Sequence, residues 1–165
     1  MLNQVFGPGK DSNNSWNKER LMNLDPLEFE ALVACVYEKS TASSCHLTKK
    51  TGDRGADIIA YDYPSAGENT LIDAKHSRTH KPLSSSDGIR QVSHARKQYQ
   101  ASLGETFGTI QVVTNRPSAD RRIVIEAENS EVDIVLLDSI LALLQNHPVK
   151  MTEIQTKLAS SRVSI

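Results

Sequence analysis

Two carboxylates and an ammonium, Asp57, Asp73 and Lys75, stand in a stretch that reads as two extended runs joined by a polar turn. Side chains alternate sides along a strand, so Asp73 and Lys75 share a face while Ile72 and Ala74 take the other. If the turn centres near Ala66, Asp57 lies opposite Lys75 and Ile59 opposite Asp73, with paired Cβ atoms roughly 5 Å apart. Such a trio suits metal-assisted attack on a phosphodiester. Paired carboxylates hold Mg²⁺ through oxygen, the ion keeps waters and meets the phosphate, and a lysine orients a water or offsets developing charge. The competing reading is a surface salt bridge, because Asp-x-Lys recurs by chance in a chain of which 24% is charged.

The elements around the trio must decide. Asp25, Pro26 and Glu28 have the spacing of a helix start with a capping box. Phe29, Leu32, Val33, Val36 and Tyr37 then follow the spacing of a helix laid on a core. Glu30 falls at one margin of that apolar stripe and Glu28 at the other, so geometry alone does not choose between them as a site residue. Ser44–Lys49 reads as a short strand. After it, Gly52 and Gly55 permit the tight backbone that delivers Asp57. Asp53 is the competing carboxylate, and Lys49, Lys50 and Arg54 are either phosphate contacts or solvated surface.

Pro64 and Gly67 fit a loop between the two strands. The polar, basic segment from His76 to Asp87 is a candidate DNA-contacting loop that offers Arg78 and Lys81 to phosphates. Asp87 is expected to cap a helix from Gly88 to Ala101, with Ile89, Val92, Ala95 and Tyr99 inward. A strand over Thr109–Thr114, a helix capped by Ser118 and running to about Asn129, a strand over Val132–Leu137 and a short helix over Asp138–Leu144 complete the body. The two last strands are expected to be buried inside the sheet.

Leu24-Asp-Pro-Leu-Glu-Phe29-Glu30, then Thr51-Gly-Asp-Arg-Gly-Ala-Asp57, then Asp73-Ala-Lys75 resemble the Mrr-type restriction endonucleases of the PD-(D/E)XK nuclease superfamily. The resemblance covers about Leu21 to Leu144. Many members carry Gln where this chain has Asp73, and the departure restores the carboxylate of the parent signature. It implies an α/β fold, a restriction-endonuclease-like α/β/α sandwich around a central mixed sheet. It also implies a Mg²⁺-dependent DNA endonuclease, with Mn²⁺ a substitute, serving restriction or defence against foreign DNA. Asp57 and Asp73 would hold the metal, the Ala74 carbonyl would complete its shell, Lys75 would position or activate water, and Glu30 would assist. Gln91 is a candidate because that superfamily often places a polar residue on the helix after the lysine strand.

The totals agree with one domain. A chain of 165 residues, 38% of them apolar, can bury a core but not two. Its net charge of −1 excludes a uniformly basic coat. Between Lys75 and Lys97 the cations gather, with only Asp87 against them, so one basic side is expected. Cys35 and Cys45 form no Cys-x-x-Cys pair, which favours a reducing cytoplasm and argues against a zinc site at Cys45-His46. No apolar run approaches the ~18 residues of a membrane span, and no secretory signal opens the sequence. Residues 1–15 read as a flexible arm, 16–147 as the nuclease domain with Trp16 an anchor, and 148–165 as a tail whose short helix docks on the body or on a partner.

Other readings share these residues. A Holliday-junction resolvase or repair nuclease would use the same site on another DNA shape. A non-catalytic DNA-binding module would keep the acids as structure. A nuclease effector switched by a regulatory or sensor protein, or by a small nucleotide, fits a domain of this length. A homodimer is expected, because one such site cuts one strand, with Ile123, Val124, Ile154 and Leu158 as contact surfaces and core packing an equal reading for the first two.

Overall fold

The computed structural model describes residues 15–49, 55–62 and 69–165. Lys50, Gly52, Asp53, Arg54, Pro64, Gly67 and residues 1–14, which carry roles in the sequence reading, lie outside them. The elements run α1 (Lys18–Met22), α2 (Pro26–Thr41), β1 (Ser44–Leu47), β2 (Ile58–Tyr61), β3 (Asn69–Lys75), α3 (Asp87–Leu103), β4 (Phe107–Thr114), α4 (Arg121–Asn129), β5 (Asp133–Val135), α5 (Leu137–Asn146) and α6 (Met151–Leu158). The strands form a single sheet in the order β1-β2-β3-β4-β5. Pairing is antiparallel among β1, β2 and β3 and parallel from β3 to β5, so the sheet is mixed.

Two apolar layers cover this sheet. On one side α2, α5 and α6 pack against Ile58, Ala60, Ile72 and Ala74. On the other, α3 and α4 pack against Ile59, Leu71, Ile110 and Val112. The alternation along β2 and β3 therefore sets two faces, and Asp73 and Lys75 belong with Leu71 on the face toward α3. This is an α/β/α sandwich of the restriction-endonuclease type.

The capping box of α2 forms as its sequence requires. Asp25 Oδ1 accepts from Glu28 N at 2.8 Å and Glu28 Oε2 accepts from Asp25 N at 2.9 Å. Trp16 anchors the N-terminal segment by donating Nε1–H to Val149 O at 2.7 Å. The last helix docks on the body. Val149 and Ile154 join the α2 core, and Lys157 donates to Glu38 Oε1 at 2.6 Å.

Several sequence expectations are corrected. Strand β2 meets β3 with Ile58 opposite Ile72, Ile59 opposite Leu71 and Ala60 opposite Thr70. Continued by one residue, this register sets Asp57 across from Asp73 rather than Lys75. The difference is a slip of two residues, which leaves every side chain on its own face and so is invisible to hydrophobic alternation. Ser86, not Asp87, is the N-cap of α3, and Asp120, not Ser118, is that of α4, neither with a side-chain cap bond. Ser118 instead accepts through its carbonyl from Leu83 N at 2.8 Å. Strand β5 is a short edge strand, half-buried rather than enclosed, because only β4 pairs with it. Ile123 and Ile154 are fully buried within the chain and cannot face a second copy.

Candidate active site

Asp57 sits at the mouth of β2, where both backbone and side chain are committed. Its N–H donates to Ile72 O at 2.8 Å and its carbonyl accepts from Thr48 N at 2.9 Å. Thr48 Oγ1 adds a 2.6 Å bond to Ala56 O. The carboxylate oxygen Oδ2 accepts from Ala74 N at 2.8 Å, which ties Asp57 across to the Asp73-Ala-Lys75 run. Gly55 makes this approach possible. Its φ is +74°, and a Cβ there would lie 2.3 Å from the backbone oxygen of Gln91. Only a residue without a side chain lets the strand entrance lie against α3.

Asp73 is the most confined member. It is 2% exposed, although it is a carboxyl group flanked by apolar Leu71, Ile72 and Ala74. Lys75 Nζ stands 3.1 Å from Asp73 Oδ1 and donates to Gln91 Oε1 at 2.7 Å. Asp73 Oδ2 is buried with no hydrogen-bond partner. It faces the first turn of α3, where a Cβ on Gly88 would come within 2.7 Å of it. The Asp73 carboxyl is pushed up to about 8, mainly by burial and then by the nearby charge of Asp57, with Lys75 pulling the other way. The order of these causes shows that one ammonium does not offset the burial of the carboxylate.

A surface salt bridge is therefore the wrong description. In an exposed ion pair the oxygen that the cation does not engage is solvated, whereas here it is enclosed and unmatched. The donor set offered by Asp57 and Asp73 is all oxygen, which suits a hard divalent cation such as Mg²⁺. Among the described residues no group of three or more His, Cys, Asp or Glu is placed to hold an ion. Two carboxylates are nevertheless the usual protein share for Mg²⁺, which keeps several waters and takes the rest of its shell from substrate phosphate.

The remaining candidates divide. Gln91 is brought to Lys75, as above. Glu28 is taken by the capping box, while Glu30 is 4% exposed and so is not a solvated residue. Glu30 lies on α2, whose apolar face packs on the other side of the sheet from α3, and it does not make a third carboxylate with Asp57 and Asp73. Phe29 beside it lies 5.5 Å from the His76 ring, and His76 Nε2 is 2.9 Å from Leu21 O. Ala74 is 8% exposed and supplies its amide to Asp57. Lys49, Arg78 and Lys81 are all exposed.

Sequence reasoning missed what holds the basic segment after β3. Asn115, 2% exposed, accepts from Ser77 N and donates to Ser77 O, each at 2.7 Å. Arg116 Nη1 donates to Lys81 O at 2.9 Å and Pro82 O at 3.3 Å. Leu83 bridges to Ala119, and Arg122 Nη2 donates to Ser84 O at 3.2 Å. The segment is thus a wall fixed to the residues that follow β4. Between that wall, β3 and α3 opens a cleft of about 260 Å³, lined by Lys75, Gln91, Ser85 and Arg116 among others. Its only local signal in sequence is a polar Asn-Arg pair at the end of an apolar strand.

Comparison with known proteins gives two findings. The family model Mrr_cat, described as restriction endonuclease, matches residues 21–144. A solved structure titled as the crystal structure of protein of unknown function AF1548 is similar with a TM-score of 0.54 at 12% identity, over 73% of this chain and 66% of that one. The match spans about two thirds of the length of that protein, and the likeness is one of fold. No curated relative matches the sequence. Among the described residues, no helix is long and apolar enough to cross a membrane.

Proposed function

Because this chain belongs to the Mrr-type restriction-endonuclease family, a family of nucleases acting on DNA, we propose that it is a Mg²⁺-dependent DNA endonuclease of restriction or defence against foreign DNA. The observation that carries this reading is the buried, unmatched Oδ2 of Asp73 beside Asp57 and Lys75. A carboxylate so placed calls for a cation or a proton, and beside Asp57 and Lys75 the cation serves metal-assisted phosphodiester hydrolysis.

In this reading Asp57 and Asp73 hold the ion and the Ala74 carbonyl completes the protein's share. Bound there, Mg²⁺ or Mn²⁺ supplies Lewis acidity to the phosphate and lowers the pKa of a coordinated water. Lys75, fixed between Asp73 and Gln91, orients water at the scissile phosphate and offsets the charge that builds on it. Gln91 acts by holding Lys75 in place. Glu30 supports the site from α2 without joining the carboxylate pair. Arg78 and Lys81 stand on the rigid wall, where they meet DNA phosphates, and Lys49, Lys50 and Arg54 are further candidates for phosphate contact. A cytoplasmic homodimer, open to control by a partner protein, completes the proposal.

The test is cleavage of methylated and unmethylated DNA, supplied as linear, nicked and four-way substrates, with Mg²⁺, Mn²⁺ or chelator. Cutting that needs the divalent ion and disappears in Asp57→Ala and Asp73→Asn is expected. Cleavage by Asp73→Asn at the wild-type rate would show the assigned site to be wrong.

A further inference from the structure

The residue that fixes the basic wall still has hydrogen-bonding capacity to use. Arg116 gives Nη1 to Lys81 O and Pro82 O and lies within 3.5 Å of Thr79 Oγ1. Among the described residues, its Nε and Nη2 have no hydrogen-bond partner, and none of its contacts is an acid. It is half-buried and lines the same cleft as Lys75 and Gln91. A guanidinium presents donors in a rigid fork that matches two phosphate oxygens, and it is always charged. Asp87, exposed at the rim, is the acid that lines this cleft, against Lys75 and Arg116.

We propose that Arg116 binds a backbone phosphate of the DNA next to the scissile one, while its other arm holds the wall that carries Arg78 and Lys81. This deepens the nuclease reading and rests on it. The two roles reinforce one another. With Nη1 anchored to carbonyls, the guanidinium is oriented before DNA arrives, so little side-chain entropy is lost on binding. Ser85, also in the lining, is a neutral donor available to the same phosphate. The anchored arginine also explains why an otherwise periodless segment keeps one shape. Asn115, Arg116 and Arg122 fix it from outside, and the cleft beside Lys75 exists because they do.

The experiment measures binding of a short duplex in Ca²⁺ by fluorescence anisotropy, across a salt series, for wild type, Arg116→Ala, Arg116→Lys and Lys39→Ala. Lys39 pairs with Glu153 between α2 and α6 and removes the same charge far from the cleft. Arg116→Ala is expected to weaken binding about tenfold and to lower the salt slope by about one, as for loss of one phosphate contact. Arg116→Lys should recover the slope but only part of the affinity, and Lys39→Ala should match wild type. Each phosphate near the cut is then replaced singly by an uncharged methylphosphonate. One position should weaken wild type and have no further effect on Arg116→Ala. A purely structural arginine would instead weaken binding while leaving the pattern of sensitive phosphates unchanged, and that result, or no loss at all, overturns the proposal. Wild-type protein that binds but never cuts, with any divalent ion, would refute the nuclease reading; the phosphate contact would then stand or fall by its own footprint.

Discussion

Gly55 offers the sharpest test of how the site is assembled, because the chain contains its own control. Gly55 and Gly104 both have left-handed backbones, with φ of +74° and +67°. A Cβ on Gly55 would lie 2.3 Å from Gln91 O and 2.7 Å from Gln91 C, whereas nothing lies within 4 Å of one on Gly104. Gly104→Ala should therefore cost only the left-handed conformation, about 1–2 kcal/mol. Gly55→Ala should add overpacking against a backbone that cannot rotate away, for a total of about 2–5 kcal/mol. Since the clash lies between the entrance to β2 and the helix that bears Gln91, relief must separate Asp57 from the Lys75–Gln91 pair. A displacement of about 1 Å in such a constellation can cost about a hundredfold in rate. Urea unfolding of the two variants measures the first effect, and single-turnover cleavage at saturating DNA measures the second. Equal stability losses for both variants, or undiminished cleavage by Gly55→Ala, would refute the claim that this close approach builds the site.

Three further outcomes are expected. Asp73 has a folded-state pKa of about 8, above the ordinary carboxylate value, so the native state holds the extra proton between the two; in chelator, stability is fully present below about pH 4 and falls as pH rises toward 8. Asp73→Asn should flatten that slope and raise Tm at pH 8 while abolishing cleavage, and an unchanged slope would remove Asp73 as its source. Neutralising Arg78 and Lys81 together should weaken DNA binding without sequence preference and make its salt dependence shallower, as a nitrocellulose-filter titration can show; an unchanged slope places the DNA elsewhere. A two-fold dimer should linearise supercoiled plasmid rather than leave nicked circles, with light scattering giving twice the monomer mass on DNA. Exposed Val124 and half-buried Leu158 remain available to such a contact, and a monomer that only nicks would exclude it.

What the sequence disclosed follows from which forces are local. The order of helices and strands could be read because each element writes its period into its own residues, and Asp25, Pro26 and Glu28 mark the start of α2 without outside help. The pairing of Asp57 with Asp73 could not, since a two-residue slip keeps every face and the choice is made by the whole sheet. The wall at residues 77–86 looked shapeless for a related reason. Its order comes from Asn115, Arg116 and Arg122, far away in sequence and lacking any period of their own. Glu30 was separated from Glu28 only by family resemblance, and burial now separates them physically.

The most telling signal was present but easily misjudged. Leu71-Ile-Asp-Ala74 is an apolar strand interrupted by one acid, and a strand paired on both sides and covered on both faces buries whatever it carries. The sequence leaves a surface salt bridge open for Asp73, yet Asp73 is enclosed beside β4 and Gly88. An enclosed charge is costly unless matched, and Lys75 matches only one of its oxygens. The same burial that penalises Asp73 in the empty protein would strengthen its attraction for a cation, because fewer waters compete and the local dielectric is low. In the proposed reading, burial and metal affinity are one design. That coupling makes the Asp73→Asn comparison discriminating, since the substitution that stabilises the metal-free protein at high pH is the one that should end its chemistry.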